Sequence, residues 1–142
     1  MKTVIIIPAR YKSTRFPGKP LTPILGKPMI LWVAELCAEA LPAQCVYIAT
    51  EDFQIKEVVE KAGFNVVMTS NKCLTGTDRI AEAATQIEAD IYVNVQGDEP
   101  LLNPADILNI IEAKKMYPNE VINGYCKIGD NEEPESVNIP KV

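Results

Sequence analysis

Histidine is absent from all 142 residues, and that absence removes whole classes of chemistry. No Ser-His-Asp or Cys-His nucleophile system can be assembled from this chain, nor the common His-bearing zinc sites. The four cysteines, Cys37, Cys45, Cys73 and Cys126, never fall in a C-x-x-C spacing, which argues against a redox pair or a Cys₄ zinc ribbon. They read instead as buried, reduced thiols, in keeping with a reducing compartment. No apolar run approaches the length of a membrane span. The apolar opening Val4–Ile7 ends at Pro8, too short for the core of a signal peptide. The expectation is a soluble, cytoplasmic chain without membrane insertion. Neither G-x-G-x-x-G nor G-x-x-x-x-G-K-[ST] occurs, so the usual glycine-rich nucleotide loops are missing too.

Acidic residues are missing from one region only. Residues 1–34 hold Lys2, Arg10, Lys12, Arg15, Lys19 and Lys27 and no acid, whereas the whole chain carries 14 bases and 19 acids for a net charge of -5. The remaining 108 residues therefore carry 8 bases and all 19 acids, a net -11. A nucleic-acid arm fits poorly, because the rest of the chain would repel a long run of phosphates. A solvated basic loop is the plain reading, and a compact site for a small phosphorylated ligand is the sharper one.

What is present reads as a single domain over residues 1–142, with 47% hydrophobic and 23% charged residues. Val4–Pro8, Val46–Ala49, Asn65–Met68, Asp90–Val95 and Val121–Cys126 have the short β-branched character of strands. Pro28–Leu41, Asp52–Ala62, Thr77–Glu88 and a segment capped by Asn103 with Pro104 at its first position have helical periodicity. Strict alternation of the two predicts an α/β fold, a mainly parallel sheet between two layers of helices. After the polar stretch Gly129–Ser136 the chain turns apolar again, as if a strand were starting, so the architecture is expected to be cut short.

In a parallel sheet the strand carboxyl ends share one edge, and ligands bind there. The loops on that edge are Ala9–Pro20, Thr69–Gly76 and Gln96–Pro100. In the first, Arg10, Arg15 and Lys19 supply charge-assisted donors and Ser13 and Thr14 supply hydroxyls, a set suited to a polyphosphate. Asp98 either caps its own turn or serves Mg²⁺, which keeps its waters and takes one or two carboxylates beside phosphate oxygens. Arg79, in the first turn of a predicted helix, opposes the helix dipole. It either pairs with Glu82 or faces an anionic ligand held at the helix start.

The runs Pro8-Ala9-Arg10, Ser13-Thr14-Arg15, Pro17-Gly18-Lys19-Pro20-Leu21, Gly26-Lys27-Pro28-Met29-Ile30, Gly76-Thr77-Asp78-Arg79 and Gln96-Gly97-Asp98-Glu99-Pro100 stand in one order along the chain. Together they resemble the 3-deoxy-manno-octulosonate (Kdo) cytidylyltransferase family, the CMP-Kdo synthetases. Asp78 stands where that family commonly has Glu. The resemblance implies a Rossmann-like, three-layer α/β/α nucleotidyltransferase fold. It implies the reaction CTP + Kdo → CMP-Kdo + diphosphate, with Mg²⁺ as cofactor. It places Ala9, Arg10, Ser13, Arg15, Lys19, Gly76, Thr77, Arg79 and Gln96 at the nucleotide, gives Arg10, Lys19 and Asp98 catalytic roles, and makes Asp98 the metal carboxylate. Family members run well past residue 142, and that part carries much of the sugar-acid site, a second metal carboxylate and most of a homodimer contact. This chain is therefore expected to bind CTP with little or no CMP-Kdo synthesis. Two other functions fit the same residues: a spore-coat-type CMP-sugar cytidylyltransferase, and a non-catalytic CTP-binding module.

Overall fold

Of the β-branched runs, the first has no polar face and must be covered on both sides: from Val4 to Pro8 every residue of Thr3–Pro8 is buried. The computed structural model describes residues 1–125. In chain order its elements are β1 (Thr3–Pro8), β2 (Pro23–Ile24), β3 (Lys27–Pro28), α1 (Met29–Ala40), β4 (Val46–Thr50), α2 (Phe53–Lys61), β5 (Asn65–Met68), α3 (Gly76–Ala84), β6 (Ile91–Asn94) and α4 (Pro104–Met116).

The main sheet is parallel with strand order β5-β4-β1-β6. Helices α1, α2 and α4 cover one face, where Ile30, Val33, Ile55, Val59, Ile107 and Ile111 meet Ile5, Ile7, Ile48 and Val93. On the other face Ala83 of α3, with Ile87 just beyond it, packs on Val4, Ile6, Ala49 and Val67. This is the expected three-layer α/β/α arrangement. The chain winds outward from β1 through β4 to β5, then returns to lay β6 on the other side of β1. The direction reverses between β1 and β6, and a crevice opens at the carboxyl ends of such a pair.

Three departures from the sequence reading have clear causes. Residues 23–28 form a hairpin that the pattern did not announce, with Ile24 opposite Lys27. Its turn residues Leu25 and Gly26 both have positive φ, 50° and 81°, the backbone of a type I′ turn. The helix expected over Thr77–Glu88 ends at Ala84, because the Thr85 and Gln86 amides fold back onto the Glu82 and Ala83 carbonyls. The Tyr92 hydroxyl then donates to the Ile87 carbonyl at 2.6 Å. Val121–Tyr125, the described part of the expected fifth strand, is not a strand, and Val121 and Tyr125 are exposed. Cys126, Gly129–Ser136 and the apolar end Val137–Val142 lie outside the described residues.

The cysteines also divide. Cys37 of α1 is fully buried, and burial pushes its thiol up to about 12. Cys45 and Cys73 are only half-buried, contrary to expectation, and Cys45 sits in a 3₁₀ turn before β4. None of these three is in a disulfide. No helix among the described residues is long and apolar enough to cross a membrane.

Candidate functional site

The carboxyl ends of β1 and β6 approach very closely. A Cβ built on Gly97 would lie 2.8 Å from the Pro8 carbonyl oxygen, so only glycine permits this contact. Above it opens a cavity of about 710 Å³. Ala9, Arg10, Ser13, Arg15 and Lys19 line it from the loop after β1, Gly76 and Arg79 from α3, and Gln96 and Asp98 from the loop after β6. Of the residues singled out in the sequence, Thr77 alone is not among its lining. Phe16, Met29, Cys73, Leu74 and Thr75 complete much of the wall, and Phe16, Cys73 and Leu74 had no site role in the sequence reading.

Each wall is fixed by its own chemistry. The Gly18 amide donates to the Tyr11 carbonyl at 2.8 Å and closes the basic loop into a compact turn. Thr75 caps α3: its hydroxyl accepts from the Asp78 amide at 3.1 Å, while the Asp78 carboxylate accepts from the Thr75 amide at 2.9 Å. Asp78 is thus the reciprocal partner of a capping box, a place where Asp and Glu both serve. The Gln96 side-chain oxygen lies 3.2 Å from where a Cβ on Gly76 would stand, so the β6 loop rests against the start of α3.

The charges are paired in ways the sequence did not reveal. Lys19 Nζ lies 3.2 Å from Asp98 Oδ2, both side chains about half exposed. Arg79 is 3% exposed, and its guanidinium lies 3.3 Å from Glu51 Oε2 while donating to Thr69 Oγ1 at 2.6 Å and the Ser70 carbonyl at 3.2 Å. The expected alternative, a pair with Glu82, is not formed. Glu82 instead accepts from the Ser70 amide at 2.7 Å and from the Cys73 thiol at 3.2 Å. That thiol is raised by desolvation and then by its hydrogen bond to Glu82. Among the described residues Arg10 and Arg15 have no ion-pair partner. Among the described residues the cavity lining therefore includes two guanidinium groups without an ion-pair partner.

For a divalent cation the donor set is lean. No cluster of three or more Cys, Asp or Glu side chains among the described residues could hold a metal. Asp98 offers an accessible carboxylate at the cavity, which fits Mg²⁺ bound mainly by water and phosphate oxygens but not an all-protein cage. Glu99 beside it is pushed above the usual carboxylate range, by desolvation first and by the charge of Asp98 second.

The cytidylyltransferase family model matches residues 4–142. The chain belongs to the cytidylyltransferase family. Curated relatives sharpen the likeness. The chain is 46% identical to the 8-amino-3,8-dideoxy-manno-octulosonate cytidylyltransferase of Shewanella loihica, over 99% of this chain and 58% of that protein. It is 55% identical to 3-deoxy-manno-octulosonate cytidylyltransferase 2 of Hydrogenovibrio crunogenus, over 78% of this chain and 46% of that protein. The Escherichia coli 3-deoxy-manno-octulosonate cytidylyltransferase is 39% identical, over 97% of this chain and 57% of that protein. The chain spans about half the length of the curated relatives it matches. Among solved structures, a CMP:2-keto-3-deoxy-manno-octonic acid synthetase in complex with CTP superposes with a TM-score of 0.80 at 43% identity, covering 84% of this chain and 49% of that one.

Proposed function

We propose that this chain binds CTP in the cavity between β1 and β6 and carries the nucleotide-handling part of a cytidylyltransferase reaction, CTP + Kdo → CMP-Kdo + diphosphate. One observation carries the reading: Arg10 and Arg15, without ion-pair partners among the described residues, line a cavity at the point where the strand order reverses. The similarity to a synthetase solved with CTP adds the base to the phosphates. Relatives named for Kdo and for its 8-amino analogue both match, so the acceptor class is a 3-deoxy-manno-octulosonate acid.

In this reading Arg10, Arg15 and Ser13 hold the triphosphate, backed by the Ala9 and Gly76 backbone, with Gln96, Arg79 and the α3 start including Thr77 toward the nucleoside. The acceptor hydroxyl oxygen attacks the α-phosphorus, the bond from that phosphorus to the bridging oxygen breaks, and diphosphate leaves with the electron pair. The hydroxyl proton passes to solvent. Cationic side chains are worth most where charge grows, on the leaving diphosphate. Lys19, half exposed and with donors to spare beside its contact to Asp98, can reach a phosphate oxygen, and Asp98 is the carboxylate that would hold Mg²⁺. When bound, that cation supplies charge neutralisation and lowers the pKa of the attacking hydroxyl.

Thermal denaturation with nucleoside triphosphates tests the nucleotide. CTP with Mg²⁺ should raise the midpoint more than ATP or GTP at equal concentration. Equal shifts with all three would leave a phosphate site without base preference and remove the cytidylyl assignment. Calorimetry on Lys19→Ala should show CTP affinity lower by about one to two decades, the scale of about 1.5–3 kcal/mol for a lost charge-assisted contact. An unchanged affinity in the folded variant would take Lys19 out of the site.

A further inference from the structure

The sequence reading passed over Glu51, the first residue after β4. It stands on the ligand edge beside Asp52, the cap of α2, and its side chain is only 10% exposed. One carboxylate oxygen, Oε1, accepts from the Tyr11 amide at 2.8 Å, 40 residues away in the chain. The other, Oε2, lies 3.3 Å from the Arg79 guanidinium and is buried with no hydrogen bond of its own. That contact is an ion pair without hydrogen-bond alignment. Through it Glu51 reaches Thr69 and Ser70, which accept from the same guanidinium nitrogen.

Tyr11 is the pivot of the basic loop. Its carbonyl accepts from Gly18 and its amide donates to Glu51, so both of its peptide groups are held. The loop residues between them, which include Ser13 and Arg15, have two further bonds, both long: the Phe16 amide donates to Ser13 Oγ at 3.4 Å, and the Lys19 amide donates to the Phe16 carbonyl at 3.3 Å. A loop so sparsely tied needs an anchor in the scaffold, and a buried carboxylate accepting a backbone N–H is among the stronger ones.

We propose that Glu51 is a positioning residue. It fixes the loop bearing Arg10, Ser13 and Arg15 through the Tyr11 amide, and couples that loop to the start of α3 through Arg79. The part that concerns nucleotide affinity rests on the CTP reading above. The part that concerns loop order does not.

Backbone amide order parameters by NMR, with CTP calorimetry alongside, separate the two. In Glu51→Ala, the amides of residues 11–16 should drop below about 0.6, the level of a flexible backbone, from the rigid value near 0.85. CTP affinity should fall at least about tenfold, as for one charge-assisted bond lost. Glu51→Gln keeps an acceptor for the Tyr11 amide but sets an NH₂ against Arg79. It should therefore retain loop order close to that of the unmodified chain. If Glu51→Ala leaves Arg79 too exposed to an unpaired burial for the chain to fold, Glu51→Ala/Arg79→Met removes both charges. The loop should still be mobile in that variant. Unchanged order in a folded Glu51→Ala or double variant overturns the proposal. So does Glu51→Gln behaving as Glu51→Ala, which would assign the effect to Arg79 alone. Failure of the unmodified chain to bind CTP would remove the nucleotide reading and leave the order parameters to decide Glu51.

Discussion

Gly97→Ala is expected to destabilise the chain by about 1–3 kcal/mol, the usual cost of forcing an extra carbon into packed structure. It should abolish or sharply weaken CTP binding at the same time. The new Cβ would lie 2.8 Å from the Pro8 carbonyl oxygen and 3.4 Å from Ile30 Cδ1. The first neighbour is backbone and cannot rotate away. Pro8 is set opposite Ala49 by the parallel pairing of β1 and β4, and Ile30 is fully buried in α1. The strain can be relieved only by spreading the ends of β1 and β6, and those ends carry Ala9 and Arg10 on one side and Gln96 and Asp98 on the other. Urea denaturation gives the first readout as a lower midpoint at constant slope. A midpoint within error of the unmodified chain would mean that the contact is slack.

Arg79→Met should cost more, about 3–5 kcal/mol, the range found when one member of a buried ion pair is removed. The side chains of Arg79 and Glu51 are 4% and 10% exposed, so solvent screens the pair little. The substitution strands the Glu51 carboxylate and leaves Thr69 Oγ1, itself in a buried residue, without its 2.6 Å donor. Pairing the change with Glu51→Gln should restore much of the loss, because the cost lies in the uncompensated charge rather than in the absence of the pair. Thermal or urea denaturation of the single and double variants measures this. If Arg79→Met alone loses less than about 1 kcal/mol, the pair is not the buried element described.

The central strands β1 and β4 were legible because burial on both faces writes itself into runs such as Val4–Ile7, whereas β6 showed as alternation, with Ile91 and Val93 buried and Tyr92 and Asn94 exposed. The hairpin at Pro23–Pro28 was not. Its strands are two residues long and carry Pro23 and Pro28, which lack the amide that marks a strand, and its turn uses Leu25 where Asn or Gly is usual. Val121–Tyr125 erred the other way: β-branched and aromatic residues favour a strand only when a neighbour is there to pack against. In the site, the basic loop and Asp98 could be placed on one edge because alternation dictates where loops fall. The pairs could not be read. Lys19 and Asp98 are 79 positions apart, and Arg79 and Glu51 are 28 apart, so nothing local links them. Glu82, three residues from Arg79, was the locally obvious partner, and tertiary contacts took it for Ser70 and Cys73 instead.

The reversal of strand order also governs when the cavity can come into being. As the chain leaves the ribosome, β1 can pair with β4 once residues 46–50 have emerged, since Ile5 meets Val46 and Pro8 meets Ala49. Its other neighbour arrives much later, for Thr3 meets Ile91 across 88 positions. Until residue 98 has been made, the basic loop has one wall and no Asp98 to offset Lys19. Closing that long a loop costs little more in entropy than closing the shorter one, because the penalty grows only with the logarithm of length. The delay is therefore one of synthesis order rather than of free energy. The basic loop waits for β6, the last strand among the described residues, and the wall that carries Gln96 and Asp98 is in place only when β6 docks.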